Sequence, residues 1–141
     1  MRRSALAVAL AFLVTGCATP PNPVTVTGTL AVPGGYTDAG LEGGPGQLCA
    51  VDGGYADIRA GAQVVVTDDA GKTLALGQLG DGKLTLPDPQ EWGTRSCAFP
   101  FTVQAPGGHS FYGVEVTHRG VVRYTAEQVR QPVEMSIGRR P

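Results

Sequence analysis

Gln63-Val64-Val65-Val66-Thr67-Asp68-Asp69-Ala70-Gly71-Lys72-Thr73-Leu74-Ala75-Leu76-Gly77-Gln78-Leu79 holds a β-branched run, a polar turn and a second apolar run. Val and Thr lose little by being extended and pack well on a pleated surface, so residues 63–67 are expected to be a strand covered on both faces. Asp68 to Lys72 reads as a turn, because Asp bonds its own backbone two residues on and Gly accepts positive φ. Thr73 to Leu79, with Leu74 and Leu76 on one face, is a second strand. Asp81-Gly82 follows, the pair favoured in a two-residue hairpin, and Lys83-Leu84-Thr85-Leu86 is expected to return from it.

The same period of two recurs on both sides of this segment. Val24-Thr25-Val26-Thr27-Gly28-Thr29-Leu30 alternates apolar and hydroxyl residues, the pattern of a strand with one buried face. Cys97-Ala98-Phe99-Pro100-Phe101-Thr102-Val103 puts Cys97, Phe99, Phe101 and Val103 on one side, and Pro100 demands an edge position or a bulge because it has no N–H. Phe111 to His118 aligns Tyr112, Val114 and Val116, with His118 on that face near the strand's end. Arg119-Gly120 turns the chain into Val121-Val122-Arg123-Tyr124. Thr125 and Gln128 stand at capping-box spacing for one helical turn, and Val133 to Ile137 alternates again. About seven short strands and no long amphipathic helix predict an all-β domain, a small antiparallel β-sandwich of transthyretin-like or immunoglobulin-like type over residues 24–141.

Gly61 to Lys72 and Leu79 to Leu84 resemble the strand, Asp-x-x-Gly turn, strand and glycine hairpin of transthyretin-like, carboxypeptidase-regulatory-type and collagen-adhesin B-type sandwiches. Collagen-adhesin domains often carry a Lys-Asn isopeptide crosslink. Asn22 is the sole asparagine and lies outside the domain, so that crosslink is not expected here.

Arg2-Arg3, the apolar segment Ala5 to Val14 and Val14-Thr15-Gly16-Cys17 resemble a bacterial lipoprotein signal. The apolar segment is shorter than the roughly 20 residues that span a bilayer as a helix. The resemblance implies removal of residues 1–16 and lipidation of Cys17 with two or three acyl chains of palmitate type, each methylene contributing about 0.8 kcal/mol to membrane binding. Ala5, two places after Arg2-Arg3, is a poor match to the hydrophobic residue expected there in a twin-arginine signal, so general secretion is expected. Residues 17–23 form a proline-rich tether that reaches roughly 20 Å. Gly54-Tyr55-Ala56-Asp57-Ile58 and the Cys97-to-Phe101 strand also resemble segments of actinobacterial lipoproteins. The implied location is the extracytoplasmic face of the membrane.

With Cys17 assigned to lipid, Cys49 and Cys97 remain and are expected to pair in an oxidising compartment. The formal charge of −1 includes Arg2 and Arg3, so the mature part stands two units lower, at −3. Basic residues are scattered, which argues against a nucleic-acid partner.

Residues 33–61 lose all periodicity and accumulate glycine, a stretch expected to be functional or mobile. Tyr36, Asp38, Glu42, Asp52, Tyr55, Asp57 and, from a later loop, Trp92 are its candidate binding residues. Loop aromatics offer apolar area with a polar tip, or else close the sandwich ends and cover the disulfide. No catalytic constellation is recognised. Gly108-His109-Ser110-Phe111-Tyr112 lacks the second glycine of a nucleophile elbow, and His109 and His118 have no metal-pair spacing, so no cofactor or metal is expected. The expected function is a non-enzymatic envelope module for another envelope protein or a glycan. The alternatives are a wall hydrolase working through Asp52 and Asp57 and a calcium-stabilised module using the loop acids.

Overall fold

The computed structural model describes residues 21–38, 40, 43–86 and 95–138. Cys17, Glu42 and Trp92, and with them the signal and lipidation readings, lie outside those residues. Among the described residues eight strands form: β1 (Val24–Pro33), β2 (Gln63–Thr67), β3 (Thr73–Gln78), β4 (Lys83–Thr85), β5 (Ser96–Ala105), β6 (Phe111–Val116), β7 (Val121–Thr125) and β8 (Val133–Ser136). They make two four-stranded sheets, ordered β4-β5-β1-β8 and β3-β2-β6-β7. The chain is a small β-sandwich.

Alternation in the sequence becomes two inward faces. Val26, Leu30 and Val32 of β1 and Cys97, Phe99, Phe101 and Val103 of β5 face Val64 and Val66 of β2 and Tyr112, Val114 and Val116 of β6, all buried. Strands β1 and β5 pair over all ten residues. Gly28 sits at the centre of that sheet, where a Cβ would lie 2.5 Å from both the Phe101 ring and the Val133 carbonyl oxygen. Only glycine leaves room for that ring. Pro100 pairs with Thr29, while its carbonyl accepts from Gly80 N–H on the opposite side at 2.7 Å. Its missing N–H therefore faces away from β1, beyond the end of β4, and the long ladder loses nothing.

Four expectations change. Residues 83–86 do not return on β3 as a hairpin: β3 and β4 belong to different sheets, and neither Asp81 nor Gly82 has positive φ. The chain instead runs on along the edge of β5, through Leu79 opposite Phe101, Gly80 bonded to Pro100, and Lys83 opposite Ala98. It forms a corner at which one extended segment changes sheets. β8 pairs parallel with β1, so the sandwich is not wholly antiparallel.

Strand β2 is covered on one face only. Val65 points outward between Leu76 and Glu115 and is half-buried by these neighbours; Leu76 shares that outer face and is exposed, whereas Leu74, at the register shift beside Val66 and Thr67, packs against the core. Finally, β6 ends at Val116. His118 is exposed, with φ of 58° in a turn beyond the strand. The Thr125 capping box forms as read: Thr125 N–H donates to Gln128 Oε1 at 2.8 Å, and Gln128 N–H donates to Thr125 Oγ1 at 3.2 Å.

Candidate functional site

The aperiodic segment after β1 takes its order from pairing that local sequence does not encode. Gly46 N–H donates to the Leu84 carbonyl, Leu84 N–H to that of Gln47, and Cys49 N–H to that of Gly82, so residues 46–49 lie as an extra strip along β4. Ala50 and Tyr36 exchange both backbone bonds at 2.9 Å. Cys49 is bonded to Cys97 on β5, with Cα atoms 5.9 Å apart. Further on, Gly53–Tyr55 makes one 3-10 turn, and Gly61 and Ala62 bond Leu79. These contacts account for the missing periodicity: the backbone is satisfied by Leu79, Gly82, β4 and itself rather than by a long ladder.

Between this strip and the 56–60 turn lies an open groove of about 410 Å³, lined among others by Tyr36, Leu48, Ala50, Ala56, Arg59 and Asp81. Its floor is firm. Ile58 and Phe99 are each 1% exposed and border it together with the disulfide. Gly82 belongs to that floor, because a Cβ there would lie 2.6 Å from Cys97 Sγ and 2.7 Å from the Phe99 ring. The walls are the reverse of the floor: Tyr36 is 45% and Leu48 58% exposed. Arg59 and Asp81 are exposed on the same groove, and neither is among the ion pairs of the described residues. The volume falls within the roughly 300–1,000 Å³ of small-ligand sites, and exposed aromatic and aliphatic side chains over a rigid floor are what a binding surface requires.

Of the candidate binding residues that the structure describes, Tyr36 alone lines this groove. Asp38 is exposed in the Thr37–Gly40 turn, and Asp52 is exposed at the entrance of the 3-10 turn without making a capping bond. Tyr55 packs against the core, with the Arg119 guanidinium 5.3 Å from its ring centroid. Arg119 donates to the Gly54 carbonyl at 2.7 Å and to Asp57 Oδ1. The β6–β7 turn aims it there: Thr117 and His118 hold φ of 48° and 58°, and Arg119 N–H closes the turn on the Val116 carbonyl, a type I′ geometry. Sequence gave no sign of this pair because its members are far apart along the chain. Leu48, by contrast, was detectable as an apolar residue beside a cysteine in a glycine-rich loop.

The Arg119 hydrogen bond, the largest effect, holds the Asp57 carboxyl below its ordinary pKa despite a smaller opposing effect of desolvation. A general acid needs the opposite shift. Asp57 is a structural anchor for the 54–58 segment. Because its folded pKa lies below the unfolded one, its contribution to stability is complete above the ordinary aspartate value near pH 4 and is lost as pH falls through the folded value. Arg119→Ala is therefore expected to destabilise by about 1 kcal/mol at neutral pH and to flatten the acid limb of melting temperature against pH. An acid limb unchanged from wild type would show that the pair contributes nothing.

Comparison with protein-family models, curated proteins and solved structures finds no match. No helix among the described residues is long and apolar enough to cross a membrane.

Proposed function

We propose that this chain is a non-enzymatic envelope lipoprotein: Cys17 carries lipid, residues 18–23 form a short tether, and the sandwich offers the groove beside the disulfide to another envelope protein or a glycan. The observation that supports this reading best is the contrast between a packed, disulfide-bonded floor, Phe99, Ile58 and Cys49–Cys97, and the exposed Tyr36 and Leu48 above it. Exposed apolar anchors over a rigid base suit binding, because little conformational freedom is lost when a partner seats. A tether of roughly 20 Å keeps the domain near the membrane surface.

Crosslinking in bacteria that express the full chain, followed by fractionation and mass spectrometry, tests both halves. Wild type is expected in the membrane fraction with a specific crosslinked partner. Cys17→Ser is expected to leave that fraction, and Tyr36→Ser/Leu48→Ser to remain there while losing the partner. A partner retained by the double variant would defeat the groove reading, and Cys17→Ser staying membrane-bound would defeat the anchor.

A further inference from the structure

Two turns distant in sequence meet away from the groove. Asp68 and Asp69 begin the β2–β3 turn, His109 lies in the β5–β6 turn, and one ligand atom from each falls within 4.8 Å of the others. The three side chains are differently held. Asp68 Oδ1 accepts from Ala70 N–H at 2.9 Å and Lys72 N–H at 2.8 Å, which positions its carboxylate and leaves the second oxygen outside that turn. The His109 ring meets Tyr112 edge-on at 5.7 Å, and Tyr112 is wholly buried with its hydroxyl donating to the Pro106 carbonyl at 3.3 Å. The imidazole is thereby braced with Nδ1 toward Asp69, 3.9 Å from Oδ1, which is too long for a hydrogen bond. Among the ion pairs of the described residues, neither aspartate has a Lys or Arg partner.

We propose that Asp68, Asp69 and His109 form a three-donor site for a divalent cation of the zinc class. An imidazole nitrogen with two carboxylate oxygens suits late first-row metals, whereas calcium requires six to eight oxygens. Two adjacent carboxylates supply the charge to match a dication. Donors bound at about 2.0–2.2 Å stand roughly 3–3.6 Å apart around a tetrahedral ion, so the gap closes by side-chain rotation, for which Asp69, 59% exposed, is free. Water completes the coordination. Because β5 and β6 belong to different sheets, the ion would fasten the β2–β3 turn to the connection between the two sheets. Sequence spacing conceals such a site, since its ligands come from separate turns.

The test uses the full chain, stripped with chelator and titrated by calorimetry with Zn²⁺ alone and, in parallel, with Ca²⁺ alone, alongside melting curves. The expected result is one saturable Zn²⁺ per chain and a higher melting temperature with the ion. Affinity should be roughly tenfold or more weaker in both His109→Ala and Asp69→Asn, and unchanged in His118→Ala. Metal-free melting of the variants close to wild type would show that they fold. The proposal is overturned by any of four results: no saturable Zn²⁺ binding, equal affinity in His109→Ala, loss of binding in His118→Ala, or Ca²⁺ binding as tight as Zn²⁺.

Discussion

Cys49→Ala/Cys97→Ala is expected to be about 4 kcal/mol less stable than the oxidised wild type, corresponding to a drop of about 15 °C or more in melting temperature. The bond joins residues separated by 48 positions, so the unfolded chain without it regains the freedom of a long loop. Native-state consequences add to this. Cys97 is completely buried in β5 and Cys49 holds the strip along β4, whose remaining backbone ties there are one hydrogen bond to Gly82 and two to Leu84. Hydrogen exchange should therefore accelerate first at Gly46, Cys49 and Ala50, while amides of β1 and β5 stay protected to the global limit. A double variant that melts within a few degrees of wild type, with those amides still protected, would show that packing alone holds the groove.

Phe99→Ala is the second large effect, a loss of about 3–5 kcal/mol. The ring is 1% exposed, pairs across the sheet with Leu30, and forms both core and groove floor. Removing it deletes buried apolar area and opens a void that Gly82 and the disulfide cannot fill, because the backbone around them is fixed by β4 and β5 pairing. Phe99→Leu conserves most of the volume and is expected to cost less than about 1.5 kcal/mol. Urea unfolding of both variants checks this, with the midpoint falling and the slope unchanged. Equal midpoints for the alanine and leucine variants would mean that the site collapses freely and the floor is not rigid.

The inward faces of β1, β5, β6 and β8 were legible because side-chain direction alternates with backbone position, whatever the neighbours. Val26, Leu30, Phe99, Phe101, Tyr112, Val114, Val133 and Met135 all fall where period two puts them. Strand β3 shows the limit of that reading. Its two leucines read as sharing one face, yet Leu76 is exposed and Leu74 packs on the core beside a register shift, while Ala75 and Gly77 face inward opposite Val66 and Val64, where Val103 from the other sheet fills the space. The candidate site was legible only in Tyr36 and the cysteines. Asp57 reads in the sequence as a binding or hydrolytic carboxylate, whereas Arg119 reaches it from another turn and pairs with it.

From sequence alone came the strand positions, the pairing of Cys49 with Cys97 and the Thr125–Gln128 cap, all of which depend on residue type, local period or the number of thiols. Tertiary structure decided which strand joined which sheet: Asp81-Gly82 is an excellent hairpin turn in isolation, yet it continues straight because β5 offers residues 79–85 a ladder and the disulfide needs the room that Gly82 leaves. The groove, the Asp57–Arg119 anchor and the meeting of Asp68, Asp69 and His109 were settled at the same level. A local pattern records which way a side chain points, whereas its partner is selected by competition among all the surfaces that the folded chain brings within reach.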